Sequence, residues 1–251
     1  MIKGADMGEI LRAEHIKKSY SDKDVLEDIS ITLNEGELVS ILGVSGVGKT
    51  TLFNVLSGIV EPNEGRVVLG GEDITGQRGK LSYMLQKDLL LPHKTVVDNV
   101  ALPLTLSGVS KKEAREKAAG LLPKFGLEGT EKKYPSQLSG GMRQRAALLR
   151  TYLCDKKVAL LDEPFSALDA ITRSSVQDWY LSVMEEIKLS TLFITHDIDE
   201  AILLSDRIYI MKGSPAVIDG ELVIETPKPR NHEFMMTDEF LSYKKSIRDM
   251  L

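Results

Sequence analysis

The octapeptide GVSGVGKT, Gly43 to Thr50, constrains this chain more than any other stretch. It fits G-x-x-x-x-G-K-[ST]. Before it stands ELVSILG, a short apolar run with β-branched residues, of the kind that forms a strand buried on both faces. After it, Leu52, Val55 and Leu56 recur at helical spacing. Strand, glycine loop and helix in that order make a nucleotide phosphate site rather than a structural glycine turn. The glycines let the backbone curl, so that N–H groups along Gly43, Val44, Ser45, Gly46, Val47, Gly48, Lys49, Thr50 and Thr51 face phosphate oxygens. Lys49 is expected between the β- and γ-phosphates, and the Thr50 hydroxyl on Mg²⁺.

The rest of the chain is read around that unit. Residues from Ile10 to Tyr20 alternate in polarity, as does VLEDISITL, which predicts two half-exposed antiparallel strands. GRVVLGGEDIT reads as a hairpin and KLSYMLQ as a strand. From about Asp88 to Tyr152 the character turns helical, with KKEAREKAAGLLPKFG and GMRQRAALLRTYL. A strand–helix alternation then resumes through KVALLDEP, ITRSSVQDWYLSVMEEIK, STLFITH, DIDEAILLS and DRIYIM. That alternation predicts a parallel sheet with helices on both faces. The last stretch, 231–251, predicts a terminal helix packed on the body.

Two further strand ends carry chemistry. VALLDEP puts Asp162 and Glu163 at the carboxyl end of a buried strand, where open α/β sheets place their ligands. Taken alone, these residues fit an acidic turn closed by Pro164 equally well; the phosphate loop upstream favours function. Asp162 is then expected to hold Mg²⁺ through its water shell, and Glu163 to polarise a water for attack on the γ-phosphate. His196 ends STLFITH and is placed to hydrogen-bond the γ-phosphate. A second anion-type helix start, Ser139-Gly140-Gly141, lies far from the first.

Composition removes other classes. The 251-residue chain has a net charge of -5, which argues against a general nucleic-acid binder. A single cysteine, Cys154, excludes an internal disulfide framework. No apolar run approaches the roughly 20 residues needed to cross a bilayer, and the opening MIKGADMGEILRAEH does not resemble a signal peptide. A cytoplasmic protein is expected, one able to sit on a membrane partner.

In this order the motifs resemble the ATP-binding subunit of an ABC transporter over essentially the whole chain. Gly43 to Thr50 resembles Walker A, Leu138 to Met142 the signature motif, Val158 to Glu163 Walker B, Ser166 to Asp169 the D-loop and His196 the switch histidine. The resemblance further implies that Tyr20 stacks on adenine and that Gln86 is the Q-loop glutamine, a ligand of Mg²⁺ and part of the hydrolytic set with Lys49, Glu163 and His196. It implies a P-loop NTPase fold: a RecA-like core with a mostly parallel sheet, an antiparallel β subdomain and an α-helical signature subdomain. The nucleotide-binding core with the β subdomain would take 1–87 and 156–230, the signature subdomain 88–155 and a C-terminal helical segment 231–251. Met142 stands where many members have Gln.

The same resemblance implies ATP and Mg²⁺ as cofactors and a head-to-tail dimer. In that dimer Ser139, Gly140, Gly141 and Asp169 reach ATP bound by the other copy. Transmembrane permease subunits, and indirectly a solute-binding protein, are the implied partners, with the chain peripheral on the cytoplasmic face of the membrane. LLLPHKTVVDNVALPL, GMRQRAALLRTYL and DEPFSALDAITR resemble importers of the nitrate, sulfonate and taurine type, a group that includes thiamine-precursor importers. The alternative is a soluble ABC ATPase acting in DNA repair or on ribosomes. It would carry a long coiled-coil insertion or two cassettes with basic linkers, and neither is present. A nucleotide-binding regulator without turnover is disfavoured by the intact Glu163 and His196.

Overall fold

A computed structural model describes residues 8–21, 23–187, 189–228, 230 and 233–251. Asn231 and His232, at the start of the expected C-terminal segment, lie outside the described residues. Among the described residues ten strands form one sheet: β1 (Glu9–Tyr20), β2 (Lys23–Asn34), β3 (Leu38–Leu42), β4 (Glu64–Leu69), β5 (Glu72–Asp73), β6 (Ser82–Met84), β7 (Val158–Asp162), β8 (Ser190–Thr195), β9 (Arg207–Gly213) and β10 (Ala216–Val223). Their order is β5-β4-β1-β2-β10-β9-β3-β8-β7-β6. The strands β9, β3, β8, β7 and β6 are mutually parallel. The pairs β1–β2, β1–β4, β4–β5 and β9–β10 are antiparallel. The result is a RecA-like parallel block extended by an antiparallel sheet.

The parallel strands are buried because both of their faces are covered. In β3, Leu38 and Leu42 enter one hydrophobic core while Val39 and Ile41 enter another on the opposite face. β7 repeats this with Ala159 and Leu161 against Val158 and Leu160, and β9 with Ile208 and Ile210 against Tyr209 and Met211. Alternate side chains point to opposite faces of a strand, so a continuous apolar run feeds two cores at once. Helix α1 (Lys49–Leu56) fills the second core with Leu52, Phe53, Val55 and Leu56. The other core is covered by α2 (Val96–Val100), α4 (Lys111–Leu121), α5 (Gly140–Tyr152), α6 (Ala170–Ile187), α7 (Ile198–Leu204) and α8 (Asp238–Met250), with α3 (Leu102–Leu106) packed at its edge. The expected helices on both faces are present, and α8 is the expected terminal helix.

Helix starts follow local chemistry. Thr95, Ser110, Ser139, Asp197 and Thr237 each cap a helix by accepting from a backbone N–H in its first turn.

Strand β10 differs from the sequence reading, which assigned nothing to AVIDGELV. Asp219-Gly220 inside an apolar run reads as a turn. The β9–β10 register instead shifts between Ile218 and Gly220, so the extra residue is absorbed as a bulge. Gly220 also admits α8: a Cβ there would lie 3.1 Å from the Met250 sulfur.

Candidate nucleotide site

The topology brings the chemistry together. β3, β8, β7 and β6 are neighbours and run parallel, so their carboxyl ends share one edge. The phosphate loop leaves β3. Asp162 and Glu163 end β7, His196 follows β8, and Gln86 follows β6.

The loop wraps a cavity of about 460 Å³ lined by Ser45, Gly46, Val47, Gly48, Lys49, Thr50, Thr51, Gln86 and Glu163. Gly46 and Gly48 sit at φ 81° and 122°, backbone that a residue with a Cβ rarely adopts. Gly43 has a different reason to be glycine: a Cβ there would lie 2.4 Å from the Met211 carbonyl oxygen. Lys49 is only 5% exposed, and its Nζ donates to the carbonyls of Gly43 (2.6 Å) and Val44 (2.9 Å). Burial pushes the Lys49 pKa down, while the Glu163 and Asp162 carboxylates act to raise it.

Behind the loop, the Thr50 hydroxyl donates to Asp162 Oδ2 at 3.0 Å. Tyr83 donates to the same oxygen at 3.4 Å and also reaches Asn54 Oδ1 at 3.5 Å. Asp162 is 4% exposed, and burial raises its pKa against the lowering effect of Thr50. Hydroxyl, carboxylate and amide oxygens from Thr50, Asp162 and Gln86 are the donors a hard cation takes. Among the described residues no three of His, Cys, Asp and Glu cluster as a metal cage.

Glu163 sits at the meeting point. Gln86 Nε2 donates to its Oε2 at 3.1 Å, and His196 Nδ1 lies 3.3 Å from its Oε1. Its φ is +46°, unusual for a residue with a side chain and costing about 1–3 kcal/mol. Hydrogen bonds hold it there: Glu163 N–H donates to Ile194 O at 3.0 Å, and Ser166 Oγ donates to Glu163 O at 3.0 Å. The left-handed kink ends the strand and turns the carboxylate toward Gln86 and His196.

The remaining sequence-expected residues lie elsewhere. Tyr20 ends β1 with 44% of its surface exposed and the Lys18 amine 5.2 Å from its ring centroid. It does not line the cavity, but its strand partner Lys23 does. Ser139, Gly140 and Gly141 open α5 and are absent from the cavity wall. Ser139 Oγ accepts from Met142 N–H at 3.2 Å. Gly141 packs against α6, where a Cβ would meet Thr172 Cγ2 at 2.9 Å. Asp169 is exposed and caps the start of α6 by accepting from Thr172 N–H at 3.0 Å. That bond lowers its pKa.

Sequence reasoning missed Lys23, Asp24, Val25, Gly213 and Ser214 as cavity walls. Gly213 ends β9 and Ser214 follows it, and β9 neighbours β3, so the rule that ligands sit at strand ends reaches them once the strand order is known.

Comparison with known proteins agrees with this geometry. The family profile described as "ABC transporter" matches residues 26–166. The formylaminopyrimidine import ATP-binding protein ThiZ of Halalkalibacterium halodurans is 42% identical over 248 residues, covering 97% of this chain and 96% of that protein. The taurine import ATP-binding protein TauB of Escherichia coli O157:H7 is 43% identical over 206 residues, covering 82% of this chain and 81% of that protein. Among solved structures, the dimeric post-hydrolysis state of the ATP-binding cassette MJ0796 bound to ADP and Pi superposes with a TM-score of 0.74, at 28% identity, covering 87% of this chain and 100% of that one. CbiO1 of Clostridium perfringens, part of the CbiONQ transporter complex, gives 0.79 at 25% identity, covering 96% and 94%. With the phosphate loop, the acidic strand end and the histidine gathered at one sheet edge, this chain belongs to the ABC transporter ATP-binding family and is an ATPase.

Proposed function

We propose that the chain energises an importer of a small polar organic solute or anion. In this reading a second copy completes each ATP site and membrane-spanning permease subunits dock on the cassette at the cytoplasmic face. The observation that carries the site reading is the Gln86–Glu163–His196 cluster at the mouth of the phosphate loop. The loop N–H groups and Lys49 hold the β- and γ-phosphates. Thr50 and Asp162, with Gln86, would hold Mg²⁺, which when bound would neutralise charge on the phosphate oxygens. Glu163 accepts the proton of the attacking water, His196 hydrogen-bonds the γ-phosphate, and Gln86 orients the carboxylate. Ser139, Gly140, Gly141 and Asp169 act across the interface on ATP held by the partner copy.

The import reading rests on relatives named for import of a pyrimidine and of taurine, each matched over at least four-fifths of its length. No helix among the described residues is long and apolar enough to cross a membrane. The test is reconstitution with a permease and a solute-binding protein in vesicles. ATP-dependent accumulation of a pyrimidine, sulfonate or nitrate is expected. ATPase turnover that never responds to any permease, together with binding to ribosomes or DNA, would favour the soluble alternative.

Tyr20 provides a separate test of adenine placement. A stacked aromatic contributes about 1–3 kcal/mol per base by alanine substitution. Tyr20→Ala is therefore expected to raise the ATP Kd roughly 5- to 150-fold, read by fluorescent nucleotide titration. An unchanged Kd would make Tyr20 an ordinary strand-end residue.

A further inference from the structure

A second, smaller cavity lies behind the catalytic edge. Its volume is about 20 Å³, and its walls are Glu163, Ser166, Arg173, Thr195, His196, Asp197 and Glu200. All seven walls are polar, and the space matches what one water requires, about 10–15 Å³ or more. Arg173, on α6, leaves its Nε buried without a hydrogen-bond partner. Its other nitrogens are engaged: Nη2 donates to Leu168 O at 3.0 Å, and Nη1 lies 3.6 Å from Asp197 Oδ2. A buried donor left unsatisfied is destabilising, and a bridging water removes that cost.

The cavity also contains a carboxyl outside the expected nucleotide-site residues. Glu200, in the first turn of α7, is 6% exposed and accepts from Gln177 Nε2 of α6 at 2.9 Å. Burial pushes its pKa up to about 7, against lowering by Thr195, Gln177 and Arg173, with Asp197 adding to the rise. Thr195 and Gln177 both hydrogen-bond the carboxyl, so the unsatisfied polar atom facing this cavity is Arg173 Nε. Glu200, Gln177 and Arg173 thereby join α6, which starts beside Asp169, to the segment that carries His196.

We propose that this cavity is a site for one internal water, bridging Arg173 Nε and the Glu200 carboxyl, and that Glu200 is a positioning residue that fixes His196 against Glu163 through it. The inference rests on the reading of Glu163 and His196 as the hydrolytic pair. Glu200 itself touches no substrate. Removing it loosens the wall on which His196 stands, and leaves the phosphate loop, which has no part in the cavity, as it was.

The decisive comparison is a split between ATP binding and turnover in the full chain. Glu200→Ala is expected to keep the ATP Kd within about twofold while kcat falls about 10-fold or more, the scale of an outer-shell loss. Glu200→Gln, which keeps the shape and hydrogen-bonding capacity, is expected to restore most of kcat. An unaltered kcat in Glu200→Ala overturns the inference, as does a Gln variant no better than Ala. If Glu200→Ala does not fold, a crystal structure of the unaltered protein decides. An ordered water within hydrogen-bond reach of both Arg173 Nε and Glu200 supports the site; a dry cavity with Arg173 on Glu200 directly overturns it. Glu163→Gln, run alongside, separates the two readings: if it turns over normally, the hydrolytic pair itself is wrong, whatever Glu200 does.

Discussion

Glu163→Gln is expected to bind ATP with nearly unchanged affinity and to lose about 10²–10⁴-fold in turnover, the range for removing a general base. The structure explains why binding survives. The side chain differs by one atom in kind, and Gln at 163 can still accept from Gln86, which now donates at 3.1 Å. The contacts expected to hold phosphate come from the N–H groups of the loop between β3 and α1 and from Lys49 at the start of α1, not from the end of β7. What is lost is a carboxylate able to take a proton. Because cleavage is what separates the copies in this account, the variant should also accumulate as ATP-bound dimers. Normal turnover, measured as phosphate release at saturating ATP, would remove Glu163 from the role of base.

Ser139→Arg carries the second large effect. Its hydroxyl caps α5 by accepting from Met142 N–H, so losing it costs about 1 kcal/mol of local stability, too little to unfold the chain. The larger consequence is expected across the proposed interface, where the long cation would fill the place of the γ-phosphate held by the second copy. Loss of one preorganised donor to a reacting oxyanion alone costs about 10²–10³-fold in kcat. Phosphate release should therefore fall at least about 100-fold, while ATP binding by the isolated chain stays within about twofold. Equal losses in binding and turnover would place Ser139 on its own chain's nucleotide instead.

How much of this was legible in the sequence depends on how local each feature is. The phosphate loop is contiguous, and its flanking strand and helix announce themselves by apolar pattern, so Gly43 to Thr51 could be read residue by residue. Asp162, Glu163 and His196 were legible because each ends an apolar strand. Their convergence, however, depends on the order β3-β8-β7-β6, which no single segment reveals. Gln86 carried no signal of its own: its 3.1 Å bond to Glu163 exists only because β6 pairs with β7. Tyr83 was invisible for the same reason, since its reach to Asp162 depends on the same pairing. The cavity around Glu200 gathers residues from three segments, and a buried glutamate in DIDEAILLS reads as a solvated first-turn acid. β10 was lost to its Asp-Gly bulge, while Gly213 and Ser214 reach the nucleotide cavity only because β9 lies beside β3. The two glycine helix starts show the limit most clearly. Both looked like anion sites, yet the nucleotide cavity is lined by the first and not by the second. Gly141 already has a structural reason to be glycine in its contact with Thr172.

The central claim is that a second copy completes the site. It is tested most directly by sedimentation velocity on Glu163→Gln and on Glu163→Gln/Ser139→Arg, each with and without ATP, with nucleotide affinity measured on the same samples. The account predicts that ATP drives the first to dimers and leaves the second monomeric, at the same ATP affinity. Equal ATP-driven dimerisation of both, or loss of ATP affinity by the monomeric double variant, would contradict it.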